Sequence, residues 1–399
     1  MPAPKPAPLQ VLLPDALIPQ AMVDRLAPDQ AAKLFQECPK GLAQVLSRNQ
    51  ASAFHNAGSL DRVEAWLYSH LSGNASETPL EGDFYPPWAM CSDLNANHDQ
   101  VQAHTRWWGS VGSLTLERDG VSFTPVEALH VTPAELDEFW ALVWPLLQAN
   151  GWQGVNQSES NLSNVLLQSD KPVPMQQASP WSVQNIRLTD YLPMSDECAD
   201  WRRMWLKLQV ELKQAAFNLK REAAGQPTLN CLWFWGGGAH MWQPQVQLPK
   251  LYSVSADGLY PATKMTHEGN QALNRLLFWK QVLSPFFDEE QQHTLPKSTL
   301  YCLDFHGWGA SAKAFRVLES EVIQPMQIAG LGFEWILMGQ QGWRSIQSNW
   351  LGRFKFWKNK PDWSAFGEPD VFQGPTEEDL QDAWEAGQRE QQRIQSDFQ

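Results

Sequence analysis

The sequence predicts an α/β fold: a layered core in which a mostly parallel or mixed sheet is flanked by helices, together with a smaller, irregular α+β lobe. Strand-like apolar runs alternate with amphipathic helices between residues 196 and 340, which is typical of layered α/β proteins. The run at 228–235 is apolar at nearly every position, as expected for a strand that is covered on both faces. With 43% apolar and 19% charged residues, the 399-residue chain has enough apolar side chains for a large core.

The first half of the chain opens with a short strand and continues into a β-hairpin. The strand is expected at residues 9–15, and a helix in two pieces follows over 22–48. Residues 107–123 alternate around glycines, and Arg118-Asp119-Gly120 suits the turn of a hairpin.

The helix after this hairpin has the clearest start signal of the first half. Thr132 is placed as its N-cap and Glu135 completes a capping box, while Gly151 marks its end. Its apolar face consists of Leu136, Phe139, Trp140, Val143 and Leu147.

The second half begins with the longest predicted helix, residues 196–224, which Gly225 ends. Its predicted buried stripe contains Trp201, Met204, Trp205, Leu208, Leu212, Ala215 and Leu219. The elements expected after it are strands at 228–235, 298–304 and 333–338, and a helix over 311–329.

Composition shifts along the chain suggest four parts and no internal repeat. They are a Pro-rich tail at 1–8, an N-terminal α/β lobe with long loops at 9–195, a C-terminal α/β lobe at 196–374, and a polar tail at 375–399. Residues 152–195, which are polar and rich in proline, are expected to link the two lobes.

Charge and cysteine content exclude several classes of protein. Thirty Lys and Arg against 44 Asp and Glu give a net charge of −14, which argues against a general binder of nucleic acid or of anionic membranes. No apolar run approaches the ~20 residues of a spanning helix, and residues 1–8 do not resemble a secretion signal. The cysteines are odd in number and contain no CxxC pair, so we expect reduced thiols in a cytoplasmic protein. They are Cys38, Cys91, Cys198, Cys231 and Cys302.

Tryptophan is unusually frequent, with 21 residues. Many are paired, as in Trp107/Trp108, Trp140/Trp144, Trp201/Trp205 and Trp233/Trp235. Spacings of four on a helix favour stripes that pack into the core, whereas a tryptophan-lined binding surface is the alternative.

The segment 353–360 interleaves four cations with three aromatic residues in an otherwise acidic chain. Such a pattern can hold single-stranded nucleic acid by stacking and phosphate contact. A solvated amphipathic strand or helix is the favoured interpretation, so nucleic acid is not an expected partner apart from this segment.

Three consecutive glycines, Gly236, Gly237 and Gly238, follow the predicted buried strand at 228–235 and lead to His240. Glycines at this place allow backbone N–H groups to approach an anion closely. The spacing matches no nucleotide-binding fingerprint, so a tight exit from the strand is favoured over a ligand contact.

Acidic and imidazole side chains follow two of the predicted strands. Asp304 and His306 come after the strand at 298–304, and Asp15 ends the strand at 9–15. Ends of strands commonly carry the sites of α/β proteins, and these side chains are suitable metal ligands. Since a metal site needs three or four ligands, ordinary turn and cap roles are favoured over a shared ion.

The segment 218–238, with Asn218, Arg221, Gly225, Pro227 and Asn230 before its glycines, resembles a signature of the proteobacterial RpfE-type regulatory proteins. Members of that family are often labelled cofactor-independent phosphoglycerate mutases. The pattern is also similar to one in the archaeal-type cofactor-independent mutases of the alkaline-phosphatase superfamily.

The resemblance implies an α/β core of the phosphatase superfamily. True mutases of this type use two divalent metals and a Ser or Thr nucleophile, so Asp15, Asp304 and His306 would be metal ligands and Asn218, Arg221 and Asn230 would lie near phosphate. The chain departs from the pattern: Ala16 rather than glycine follows Asp15, and no Ser or Thr stands in a convincing nucleophile turn.

We therefore expect a noncatalytic regulatory or protein-interaction protein that has no cofactor and an unidentified protein partner. The alternative is a divergent metal-dependent phosphoglycerate mutase or phosphohydrolase that uses Zn or Mn. Within the signature, Arg221 lies near the C-terminus of a helix, where it suits the helix dipole. A structural lock between helix, turn and strand is accordingly favoured over a ligand site made of Asn218, Arg221, Asn230, the glycines and His240.

Overall fold

The structure is a computed structural model, and the residues described are 9–25, 30, 42–43, 51–73, 86–90, 105–117, 120–155, 163–175, 177–183, 188, 192–238, 242, 244–262, 271–283, 298–306, 310–329, 331–347 and 363–369. The strands are β1 (Leu9–Leu13), β2 (Ile18–Pro19), β3 (His55–Asn56), β4 (Arg106–Glu117), β5 (Gly120–Pro125), β6 (Trp152–Gly154), β7 (Asn164–Ser169), β8 (Cys231–Trp235), β9 (Lys250–Ser255), β10 (Gly258–Pro261), β11 (Thr299–Leu303), β12 (Phe333–Met338), β13 (Gly342–Gln347) and β14 (Gly367–Glu368).

The α-helices are α1 (Gln20–Arg25), α2 (Arg62–Leu71), α3 (Pro133–Ala149), α4 (Ala199–Lys213), α5 (Ala216–Ala223), α6 (Gln271–Leu283), α7 (Ala312–Val317) and α8 (Gln324–Ile328). A π-helical segment, Leu318–Ile323, lies between α7 and α8. Short 3₁₀ helices cover Trp88–Met90, Val126–Ala128, Asp196–Cys198 and Trp363–Phe366.

A seven-stranded mixed sheet forms the α/β core, with the strand order β10-β9-β11-β1-β12-β13-β3. The four strands β9, β11, β1 and β12 are parallel, whereas β10 at one edge and β13 and β3 at the other pair antiparallel with their neighbours. The predicted fold class, a mixed sheet flanked by helices, is confirmed.

Both faces of this sheet are covered. Leu12, Leu300 and Ile336 pack in one core with side chains of α2 and α6. The alternate residues Val11 and Trp335 pack in a second core with α7 and the π-helical segment. Burial on both faces explains why the parallel strands are apolar at successive positions.

A five-stranded antiparallel sheet forms the second layer, and β4 is its central strand. Strand β4 pairs with β7 through Arg106–Ser110, with β8 through Trp108–Gly112 and with β5 through Gly112–Glu117. Phe234 of β8 contacts Trp152 and Trp201 on one face, with ring centroids at 4.9 and 5.6 Å. Each sheet contains strands that precede residue 195 and strands that follow it. The division into lobes at 9–195 and 196–374 stays a prediction.

The tryptophan pairs pack into the core. Seven of their members are buried: Trp107, Trp108, Trp140, Trp201, Trp205, Trp233 and Trp235. Trp144, which is partly buried, stacks on Trp140 at 4.9 Å. The core interpretation is confirmed for these residues.

The single helix predicted over 196–224 is wrong. Helix α4 ends at Lys213 and α5 begins at Ala216, because Ala215 adopts an extended conformation with φ −63° and ψ 138°. The break rotates α5, so that Phe217 is buried and Leu219 is 54% exposed instead of lying in the core.

Other predicted elements also differ from the structure, and the strands predicted at 228–235 and 298–304 are shorter, at Cys231–Trp235 and Thr299–Leu303. Residues 152–195 contain β6 and β7 rather than only a polar link, because β4 offers a strand edge to pair with. The helix predicted over 311–329 is interrupted by π-helical turns before Pro325, which has no backbone N–H to donate. Strand β1 stops at Leu13, and the left-handed Asp15 (φ 55°) follows it. Only part of the helical region predicted over 22–48 lies within the described residues.

Within the described ranges, no helix has both the length and the apolar character needed to cross a bilayer.

We expect the substitution Thr132→Ala to lower the free energy of unfolding by about 1 kcal/mol, because it removes the capping box of α3. In this box, Thr132 Oγ1 accepts from the Glu135 N–H at 3.3 Å, and the Thr132 N–H donates to Glu135 Oε2 at 2.8 Å. Urea denaturation followed by circular dichroism measures the change. Thr132→Ser keeps the hydroxyl and is the control; equal stability of the Ala variant and the wild type would contradict the assignment.

Candidate functional site

Asn218, the first residue of the predicted ligand site, is completely buried on α5. Its Nδ2 donates to the carbonyl oxygens of Leu212 and Leu229 at 2.7 and 2.9 Å, and its Oδ1 accepts from the Leu229 N–H at 2.7 Å. The amide therefore joins the end of α4 to the segment that leads into β8, and this bonding accompanies the break between α4 and α5.

Arg221 is also buried, at 2% exposure. Its Nε donates to the Pro227 carbonyl at 2.6 Å, Nη1 to Glu135 Oε1 at 2.9 Å and Nη2 to the Leu129 carbonyl at 2.8 Å. The guanidinium thus connects α5, the turn before β8 and the start of α3.

The network shifts the pKa of Glu135, the anionic partner of Arg221. Burial acts to raise the pKa of Glu135, but hydrogen bonds from Thr132 and Arg221 and the charge of Arg221 outweigh it and lower the pKa. A lowered pKa stabilises the folded state above the ordinary pKa of the carboxyl, and this stabilisation is lost as the pH falls.

Asn230 pairs with the backbone of β4 in the manner of a neighbouring strand. Its Oδ1 accepts from the Leu114 N–H at 2.6 Å, and its Nδ2 donates to the Leu114 carbonyl at 3.0 Å. We call the network of Asn218, Arg221, Asn230 and their partners the signature lock. These contacts support the structural interpretation of the signature, because the amides and the guanidinium bind protein groups.

The predicted anion-binding glycines pack closely against other parts of the protein. Gly236 has φ +69°, and its carbonyl accepts from the Ala89 N–H at 2.7 Å. An added Cβ at Gly237 would lie 2.4 Å from the ring of Trp107, and one at Gly238 would lie 2.9 Å from Pro87 Cβ. The need for glycine here is explained by packing; His240 lies outside the described residues.

The carboxyl ends of the parallel strands β1 and β11 bring Asp15 and Asp304 to one edge of the seven-stranded sheet. Asp304 Oδ1 lies 3.1 Å from His306 Nε2, and the His306 imidazole is more than half exposed. Asp15 Oδ1 lies 2.6 Å from Arg62 Nη2. Arg62 is anchored by a second hydrogen bond, from its Nη1 to the Gly339 carbonyl.

These residues do not fit a two-metal cage. Across the described part of the chain, no three His, Cys, Asp or Glu side chains group closely enough to hold a metal ion. The structure brings Asp304 and His306 together, whereas the Asp15 carboxylate is paired with a guanidinium. A pair of catalytic ions needs donors that stabilise both the attacking and the leaving oxygen.

Two carboxylates that the sequence analysis did not single out have defined roles. Glu368 accepts from the N–H groups of Gln340 and Gln341, at 2.9 and 2.5 Å, in the turn after β12. Glu64 is buried on α2 and accepts hydrogen bonds from Trp88 and two serines. Glu64 lies four residues after Leu60 and three before Leu67, and both leucines are buried. This helical spacing is a sequence signal that could have identified Glu64 as a residue of the buried face.

Comparison with known proteins finds similarity of overall structure only. No protein-family model matches the chain, and no curated protein matches it. The chain is similar to the cofactor-independent phosphoglycerate mutase from Thermoplasma acidophilum DSM 1728, with 11% identity and a TM-score of 0.38 over 91% of this chain and 95% of that one. It is also similar to the PH0037 protein from Pyrococcus horikoshii, with 14% identity and a TM-score of 0.41 over 90% and 92% of the two chains. At these TM-scores, the similarity carries no argument about activity.

We expect Arg221→Ala to lower the free energy of unfolding by about 2–4 kcal/mol, because it leaves the carbonyls of Leu129 and Pro227 and the carboxylate of Glu135 without the donors of a buried guanidinium. Arg203→Ala, which removes an exposed arginine of α4 that pairs with Asp200, is the control and should change stability by less than about 0.5 kcal/mol. Chemical denaturation measures both. Equal effects of the two substitutions would contradict the signature lock.

Gly237→Ala should destabilise the protein by about 1–3 kcal/mol, because the added methyl group collides with Trp107. Gly225→Ala serves as the control, since an added Cβ there meets no atom within 4 Å and only the left-handed backbone (φ +68°) is strained. The midpoint of thermal unfolding measures both variants. If Gly237→Ala is as stable as the wild type, the close packing of Trp107 is wrong.

Proposed function

We propose that this protein is a noncatalytic regulatory or protein-interaction protein built on an α/β scaffold. The observation that carries the proposal is the ion pair between Asp15 and Arg62, at 2.6 Å. It places a fixed guanidinium at the carboxylate where the family resemblance expects a metal ligand.

Electrostatics explains why this pair opposes metal-dependent chemistry. Arg62 is 11% exposed and is also bonded to Gly339, so its guanidinium has little freedom to leave Asp15. The Asp15 side chain is 56% exposed, and a divalent ion bound to it would be repelled by the Arg62 guanidinium at short range.

The signature lock supports the same conclusion. Asn218, Arg221 and Asn230, which the resemblance would place near phosphate, are bonded to protein groups in α3, β4 and the segment before β8. A fold that is held together by these contacts presents a defined surface, to which a protein partner can bind. We propose a cytoplasmic location, which the free thiols of Cys198, Cys231 and Cys302 support.

A second candidate is a divergent phosphomutase or phosphohydrolase that uses Zn or Mn. The observation in its favour is the Asp304–His306 pair, which offers one carboxylate and one partly exposed imidazole at the sheet edge. The proposed nucleic-acid segment, 353–360, lies outside the described residues and stays a prediction.

Turnover of phosphoglycerate and of p-nitrophenyl phosphate, measured with added Mn²⁺ or Zn²⁺, separates the two candidates. We expect no metal-dependent turnover, and we expect Asp304→Asn to leave the background rate unchanged. Metal-dependent turnover that Asp304→Asn abolishes would overturn the noncatalytic proposal.

The interaction half of the proposal has its own test. Chemical cross-linking of the tagged protein in its own cells, followed by mass spectrometry, should recover a defined partner equally with the wild type and with Asp304→Asn. Recovery of no partner above that of an unrelated tagged protein would contradict an interaction role.

A further inference from the structure

We propose that Glu64 forms a proton-controlled latch with Trp88, Ser179 and Ser182, which holds α2 against the segments 86–90 and 177–183 when its carboxyl is protonated and loosens when it is ionised. This inference is independent of the proposed function. We call these four residues the Glu64 latch.

The Glu64 carboxyl, 1% exposed, is bonded from two separate segments of the chain. Trp88 Nε1 donates to Oε1 at 2.8 Å, while the hydroxyl groups of Ser179 and Ser182 donate to Oε2, the latter at 2.7 Å. Ser182 Oγ also accepts from the Asp61 N–H at 2.7 Å. The carboxyl is therefore the common partner of three side chains that are distant from Glu64 in sequence.

The charges around the carboxyl do not neutralise it. Asp61, at the N-cap of α2, is an anion and is paired with Arg275 of α6. Arg275 also lies 5.5 Å from the ring of Trp181. Tyr68, one turn after Glu64, packs edge-on against Trp88. The segments 86–90 and 177–183 contain no charged residue, and Glu64 forms no ion pair with any residue that the structure describes.

A buried carboxyl without a cation favours its neutral form. Burial raises the pKa of Glu64 to about 7, opposed by the hydrogen bonds from Ser179, Trp88 and Ser182 and assisted by the negative charge of Asp61. In an opened junction, water would return the pKa to its ordinary value of 4.5. Opening is thus most unfavourable below this value, becomes about tenfold easier per pH unit up to about pH 7, and then levels off.

The latch lies between elements that belong to the two sheets. Helix α2 is bonded to the seven-stranded sheet through Arg62 and the Gly339 carbonyl. The other side of the latch is bonded to β8 of the five-stranded sheet and its exit, because Ala89 N–H donates to Gly236 and Trp233 Nε1 donates to Ala178 at 2.9 Å. The Glu64 latch is therefore one of the contacts that join the two layers.

One other group on α2, His70, has a shifted pKa, and its effect on the fold has the opposite sign. His70 lies between Gln10 and Ser298, 3.4 Å from each. Burial lowers the pKa of His70, and Glu334 partly offsets this effect. A buried neutral imidazole loosens its surroundings as the pH falls, whereas Glu64 loosens them as the pH rises.

Hydrogen exchange measured by mass spectrometry tests the latch in the full chain. After correction for intrinsic exchange rates, peptides that cover 61–71 and 177–183 should open about tenfold more readily at about pH 6.5 than at about pH 5.5. Glu64→Gln keeps an acceptor for Trp88 and carries no charge, so this increase should disappear. Equal pH dependence in Glu64→Gln and the wild type, or looser peptides at the lower pH, would overturn the proposal.

A second variant keeps the test decisive if Glu64→Gln does not fold. Ser179→Ala removes one donor to the ionised carboxyl, so the pKa of Glu64 should rise and exchange should level off at a higher pH than in the wild type. An unchanged levelling pH would overturn the latch. Glu321→Gln, on the π-helical segment away from α2, is the control and should behave as the wild type.

Discussion

All five side chains of strand β8 are buried, and this burial constrains what surrounds the strand. Its residues alternate between two aromatic environments, with Phe234 facing Trp152 and Trp201. On the other face, the ring of Trp235 contacts that of Trp279 at 5.3 Å. Leu229 before the strand and the three glycines after it are buried as well, so their backbone groups need partners within the protein.

The residues before and after β8 meet that need in two different ways. Before the strand, Asn218 and Arg221 bond to the backbone at Leu229 and Pro227. After it, glycines let the chain turn against Trp107 and Pro87, where a larger residue would collide. These contacts on both sides of one buried strand support a structural interpretation of the segment that resembles a ligand-binding signature.

The carboxylates at the edge of the seven-stranded sheet have different partners from the carboxyl of Glu64 in the interior. At the edge, Asp15 is neutralised by Arg62 and Glu368 is bonded to backbone N–H groups. Inside, Glu64 has hydroxyl and indole donors but no cation among the described residues. Carboxylates at the edge are therefore satisfied by a guanidinium or by backbone N–H groups, whereas the buried carboxyl is satisfied by neutral side chains.

Local patterns in the sequence were sufficient for the fold class, for the capping box of α3 and for the core positions of most tryptophan pairs. These features depend on spacing and on neighbours a few residues away, which the sequence displays directly. The break between α4 and α5, the pairing of Arg62 with Asp15 and the partners of Glu64 were decided by the tertiary structure. Arg221, for example, bonds to a carboxylate 86 residues earlier in the chain. Such partners meet only when the layers pack, and the cost of leaving a buried charge or amide unpaired then selects the arrangement.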